Sequence, residues 1–238
     1  VAGALGLDDA ARMVAARGRL PQSLPRDGAM MVVEATEADV AAAIARVAAE
    51  GGRVAIAAIN GAANTVISGE RGAVQAVADT FAARGARTKL LRVSHAFHSP
   101  LMDPVLGAFE AEIADTRYSE PRLTLVSNLV ADRADLALIG HAGYCRRGVR
   151  EPVRFADALR RLAAEGITHY VEMSPHPVLL SMGAEIVEGS AAWLPSLREG
   201  QDDFASLFES LQALYVQGAE VDWAAVDAGQ GRRRVAAP

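Results

Sequence analysis

The stretch from Gly28 to Val93 changes its hydrophobic period in an order that few folds can satisfy. Ala29 to Glu34 reads as a strand. Thr36 with Asp39 resembles a capping box, after which Val40, Ile44 and Val47 fall on one helical face until Gly51-Gly52 ends the helix. Val54, Ile56 and Ala58 alternate as a strand does. Asn60-Gly61 is a turn signal, and Thr65 to Ser68 follows as a short second strand. Val74, Val77 and Phe81 line another helix with Gly85 as its stop, and Thr88 to Val93 closes the stretch as a fourth strand. The order βαββαβ is the ferredoxin-like arrangement.

The flanks predict a larger α/β body. Leu7 to Arg17 reads as a helix with Asp8 and Asp9 in its first turn, where the positive end of the dipole favours them, and with Gly18 as its stop. Pro21, Pro25 and Gly28 mark a loop and a boundary. Beyond the small sheet, a helix near Leu101 to Asp115 buries Val105, Leu106, Phe109 and Ile113. Leu123 to Ser127 reads as a strand, and Asp132 to Gly143 as irregular and polar. Glu151-Pro152 opens a helix carrying Phe155, Leu159 and Leu162. Thr168 to Met173 and Trp193 to Leu197 read as strands. Phe204, Leu207, Phe208, Leu211 and Leu214 form the stripe of a last helix.

Composition removes several function classes. A formal charge of -5 argues against a nucleic-acid partner. No run approaches the ~18–20 apolar residues of a membrane span, and no signal peptide is visible, so a reducing cytoplasm is the simplest compartment. The single cysteine, Cys145, excludes an internal disulfide and a cysteine metal cluster. The five histidines show no metal-ligand spacing.

Two of those histidines, His95 and His98, sit in VSHAFHSPLM, on the seam between a strand-like run and a helix. A strand end holds a side chain rigidly while leaving it reachable, and a neutral imidazole can take and return a proton at cellular pH. His98 is the candidate working imidazole, although a lone histidine is more often structural. His141 in a polar loop, His169 at a strand start and His176 in a PHP turn carry no such signal. Arg17 has two readings. It can compensate the end of its helix, or it can grip a carboxylate through two parallel hydrogen bonds.

The string VSHAFHSPLMDP resembles the histidine motif of the acyltransferase domains of modular type I polyketide synthases. AARGRLPQSLP, IAAINGAANTVISG, VREPVRFADALRRL, SPHPVLL and AAWLPSLREG agree with that family in the same order, so the resemblance covers essentially the whole chain. It implies an α/β-hydrolase-like large lobe (1–27 and 94–223, incomplete at its N-terminal side), an inserted ferredoxin-like small lobe (28–93) and a following linker (224–238). It assigns the catalytic base to His98 and the grip on the substrate carboxylate to Arg17. His95 and Phe97 become determinants of acyl choice, since HAFH goes with malonyl and YASH with methylmalonyl. It also implies that a backbone carbonyl, placed near Gly148, orients His98.

The resemblance implies transfer of malonyl from malonyl-CoA, through an acyl-serine, to the phosphopantetheine thiol of an acyl carrier protein, with no bound cofactor or metal. The ketosynthase and other domains of the same megasynthase would be neighbours. The family's nucleophile is the serine of GHSxGE, and no GxSxG-type elbow occurs among these residues. The serine is expected about ten residues ahead of Val1, so this chain alone should be inactive and poorly stable. Pro21, Cys145, Gly148 and Ser174 depart from the family pattern, Cys145 standing where a tryptophan is usual. Two alternatives remain: a non-catalytic scaffold or docking module of the same fold, and an acyltransferase that loads methylmalonyl or another acyl group.

Overall fold

A computed structural model describes residues 2–228. The basic GRRRV stretch and most of the expected linker lie outside the described residues. The chain divides into two compact units, Val1–Gly166 with Glu185–Val187, and Ile167–Ala184 with Glu188–Pro238.

The first unit begins with helix α1, Leu7–Arg19. Gly18 does not stop it. The helix runs to Arg19 and tightens into a 3-10 turn at Leu20–Ser23, where Pro21 occupies an early position that needs no N–H. Four strands then form one antiparallel sheet: β1 (Gly28–Val33), β2 (Val54–Gly61), β3 (Asn64–Glu70) and β4 (Thr88–Leu90). Their order is β2-β3-β1-β4, with helices α2 (Glu37–Ala49) and α3 (Arg71–Ala82) as the two crossovers. This is the ferredoxin-like arrangement anticipated above. Val33, Val40, Ile67, Val74 and Val77 are fully buried between sheet and helices. Each is worth roughly 1.5–3 kcal/mol of transfer free energy, which is why the two periods in the sequence were so regular.

Local chemistry sets the ends. Thr36 accepts the Asp39 N–H at 3.2 Å, and its hydroxyl donates to the Asp39 carboxylate at 2.7 Å, capping α2. Gly85 takes a left-handed φ of 82° after α3. Three details differ from the sequence expectation. Strand β2 carries a register shift between Ile56 and Ala58, so the buried face passes from Val54 to Ala57 and Ile59 instead of continuing through Ala58. The hairpin turn falls at Ala62-Ala63, since Gly61 still pairs with Asn64. Strand β4 stops at Leu90, because only Leu91 N–H continues toward Met30.

After the sheet come α4 (Asp103–Glu112), the short antiparallel pair β5 (Val126–Ser127) and β6 (Asp132–Arg133), α5 (Leu136–Ile139), α6 (Ala142–Arg150) and α7 (Phe155–Ala164). The stretch from Asp132 to Gly143, expected to be irregular, instead holds β6 and α5, and at its end begins helix α6. That helix starts on His141, whose ring Nδ1 accepts the Tyr144 N–H at 3.1 Å, a cap that an ordinary capping search does not include. Pro152 lies ahead of α7 and not inside it, because the chain stays extended from Glu151 until Arg154. A second core joins α1, α4 and α6 through Ala16, Met102, Leu106, Phe109, Ile113 and Val149. Cys145 packs against it with its sulfur 3.5 Å from the Tyr118 hydroxyl, and burial pushes the pKa of both groups up.

The second unit holds a parallel pair, β7 (His169–Glu172) and β8 (Ala192–Pro195), with α9 (Asp203–Val216) and α10 (Trp223–Asp227). Helix α8 (Leu179–Ile186) starts here. Glu172 at the end of β7 accepts the N–H groups of Val178, Leu179 and Leu180, which explains how SPHPVLL turns from strand into helix. Burial acts to raise the Glu172 pKa, but these donors and the Ser174 hydroxyl outweigh it and hold the carboxyl below its ordinary value. Tyr170 stacks on Trp193 across the pair, and Trp223 meets Phe208 and Tyr215 edge-on.

Candidate active site

The segment joining β4 to α4 carries the HAFH string, and the local sequence shapes it tightly. Ser99 is fully buried. Its hydroxyl donates to the Ala96 carbonyl at 2.6 Å and accepts the Leu101 N–H at 3.2 Å. Gly28 of β1 lets this loop press close, since a Cβ there would stand 2.7 Å from the Ala96 side chain. The loop turns sharply at His98, whose φ is 58°. Histidine tolerates the left-handed region better than most residues, yet any non-glycine residue there is under some strain.

His98 is held at two points by one neighbouring segment. Its N–H donates to the Val149 carbonyl at 3.1 Å, and its ring Nδ1 lies 2.7 Å from the Glu151 carbonyl oxygen. A carbonyl can only accept, so Nδ1 carries the proton and Nε2 carries the lone pair. The orienting carbonyl is therefore that of Glu151 and not one near Gly148. Helix α6, which the sequence reading missed, runs through Gly148 to Arg150 and offers the Val149 carbonyl of its last turn to the His98 N–H, and Glu151 is the first extended residue after it, where its carbonyl meets the ring. Burial pushes the His98 pKa below its ordinary value. The Glu151 carbonyl acts in the opposite sense, and the nearby Arg17 cation adds to the lowering.

Arg17 and His98 line the same cleft. Its volume is about 470 Å³, and its walls are Val14, Arg17 and Gly18 of α1, Met30 of β1, and Phe97 and His98. Gly18 contributes by having no side chain, for nothing lies within 4 Å of where its Cβ would be. The Arg17 guanidinium carbon sits 5.7 Å from the centroid of the Phe97 ring, an arrangement that holds the cation over an aromatic face. Two neighbouring arginines have different fates. Arg19, two residues on, forms an ion pair with Glu112 of α4, whereas among the described residues no carboxylate pairs with Arg17. The last turn of α1 thus has one cation engaged in the fold and one left over, exposed, at the cleft.

His95 lies elsewhere. It is buried, with Nδ1 3.1 Å from the Ser94 hydroxyl and Nε2 without a hydrogen-bond partner among the described residues, and it does not line the cleft. Val14 and Met30 were not singled out from the sequence. Nothing in an apolar residue on α1 or β1 announces a wall, because the cleft is made by folding distant segments together.

Residues 1–221 match the acyl transferase domain family. The chain is 42% identical over 245 residues to Polyketide synthase GfsA of Streptomyces halstedii, a match that covers 100% of this chain and 3% of that protein. It superposes with a TM-score of 0.91 and 41% identity on the acyltransferase domain from the second module of the salinomycin polyketide synthase, covering 100% of this chain and 55% of that one. It also matches, with a TM-score of 0.78 and 26% identity, a structure of a malonyl-transacylase with its type II polyketide synthase acyl-carrier protein, over 89% of this chain and 67% of that one. The chain thus spans about half the length of the solved domain and a small fraction of the synthase. With its histidine and arginine on one cleft and its family matched almost end to end, this chain belongs to the acyl transferase domain family, among relatives that are acyltransferase domains of polyketide synthases.

Proposed function

We propose that this chain supplies the general base and the acyl pocket of a transferase that moves malonyl from coenzyme A to the phosphopantetheine thiol of an acyl carrier protein. The observation that carries this reading is the shared cleft of His98 and an arginine with no carboxylate partner among the described residues. The carrier-protein partner is suggested by the malonyl-transacylase complex among the structural relatives. The lobes are assigned as 1–27 with 94–223 and 28–93, with 224–238 as linker.

The chemistry follows from the protonation state. A serine expected ahead of Val1 attacks the thioester carbonyl, and His98 Nε2 takes its proton. The imidazolium then protonates the departing coenzyme A sulfur as the tetrahedral adduct collapses to acyl-serine. The carrier thiol repeats the sequence in reverse. Placing the base is worth roughly 10²–10⁴ in rate. Ser99, the serine adjoining His98, is unsuited to the nucleophile's role, since its hydroxyl is buried and engaged at both ends.

Arg17 is the grip for the free carboxylate of the malonyl group, and Phe97 limits the space beside its α-carbon while steadying the guanidinium. One methyl in such a wall is worth about 1–3 kcal/mol, so Phe97 supports preference and not exclusion. His95 supports the Phe97 backbone, its own carbonyl accepting the Phe97 N–H at 3.1 Å. The test is loading of the complete domain with malonyl-, methylmalonyl- and acetyl-CoA, read as acyl-enzyme by mass spectrometry. Malonyl should load fastest. Preferential acetyl loading would remove Arg17 from its role, and no loading of any acyl group would favour a scaffold.

A further inference from the structure

The carbonyl that orients His98 is held by a strut with its far end on the small sheet. Glu151 is extended, at φ -86° and ψ 159°, as a residue before proline prefers. Pro152 then fixes its own φ near -65° and offers no N–H. Val153 pairs with the outer edge of β2: its N–H donates to the Ala57 carbonyl and its carbonyl accepts the Ile59 N–H, both at 2.9 Å. The β2 bulge turns those two residues' side chains inward. Arg154 completes the attachment. Its N–H donates to the Asn128 carbonyl at 2.7 Å, and its guanidinium makes a two-pronged contact with Glu37 in the first turn of α2, at 3.1 and 3.2 Å, while Nε donates to Asp157 at 2.8 Å.

We propose that Arg154 and Glu37 are positioning residues for His98: their ion pair pins the strut of residues 151–154 to the small lobe and so fixes the Glu151 carbonyl that receives the imidazole Nδ1–H. This rests on the reading of His98 as the base. The pair joins residues 117 positions apart. Its two side chains are 33% and 42% exposed, so it is a weak source of stability, and geometry is what it can supply. A short stiff linkage transmits that geometry. Only Val153 and Pro152 separate the clamp from the carbonyl, and neither can relax freely. The other charges on this segment, Arg147 on the Glu151 side chain and Arg150 on Asp103, hold side chains and leave the carbonyl free to accept. Arg17 is the charged group that acts on the imidazole itself.

The experiment uses the complete acyltransferase-containing polypeptide and measures acyl-enzyme formation from malonyl-CoA against pH. Three variants are compared: Glu37→Gln, Arg154→Met and His98→Ala. The first two should lower the rate constant of acylation about tenfold, with KM for malonyl-CoA and the melting temperature close to wild type. They should also move the acid limb of the pH profile to lower pH, because the Glu151 carbonyl favours the imidazolium and its displacement withdraws that support. Glu37→Asp, which keeps the charge, should restore part of the loss. Wild-type rate and wild-type pH limb in Glu37→Gln would overturn the positioning role while an inert His98→Ala left the base assignment standing. Activity in His98→Ala would overturn both. Should Arg154→Met fail to fold, Glu37→Gln decides alone.

Discussion

At the scale of single residues, the site is one imidazole with a defined tautomer and one cation that disturbs it. Because burial and Arg17 both lower the His98 pKa, the base should stay neutral and competent to a lower pH than a free imidazole, whose midpoint is about 6.5. The acid limb of acyl-enzyme formation should therefore lie below that value. Arg17→Leu should raise it, since a positive neighbour is gone, and acetyl-CoA can report the shift where malonyl no longer binds. The same variant should lose malonyl loading by roughly 10- to 100-fold, the weight of charge-assisted hydrogen bonds of about 1.5–3 kcal/mol. The left-handed backbone at His98 predicts that stability and activity part company. His98→Gly should melt higher than His98→Ala by an equivalent of about 1 kcal/mol, measured by denaturant unfolding, while both are inert. Part of the cleft was legible: His98, Arg17 and Phe97, singled out in the sequence, line it, whereas His95 does not. The carbonyl partner was not, because any backbone carbonyl is chemically the same and only the path of the chain chooses Glu151.

At the scale of elements, the small sheet was readable because strand β1 and the two helices packed on the sheet bury regular faces, so period and burial coincide there. The exceptions have local causes. Bulging of β2 costs the alternation after Ile56, and an Asn-Gly pair lost the turn to Ala62-Ala63 because pairing continues through Gly61. Helix α6 was hidden by its glycines, its arginines and a histidine cap; just one residue in it, Val149, is buried. Gly69 in β3 offers a sharp test of the packing. A Cβ there would meet the Arg53 carbonyl oxygen at 2.2 Å, and backbone cannot swing aside. Gly69→Ala should destabilise by about 1–3 kcal/mol, seen as a lowered midpoint in urea, whereas Gly72→Ala, with nothing within 4 Å, should not destabilise at all.

At the scale of the whole molecule, the second unit shows what the described chain leaves uncovered. Parallel strands normally have both faces covered, yet Val171 within β7 and Met173 just past its end are 45% and 78% exposed. Residues 1–238 expressed alone should consequently associate and melt broadly, and incubation with malonyl-CoA should leave their mass unchanged, as intact-protein mass spectrometry can show. The small sheet is finished differently. One of its borders is occupied by Val153, and the other is a three-residue strand carrying Lys89. Neither border invites a foreign strand. This chain matches as little as 3% of a relative's polypeptide, so in that relative such a sheet shares one tether with many other segments. A sheet blunted at both borders keeps such company from becoming strand exchange.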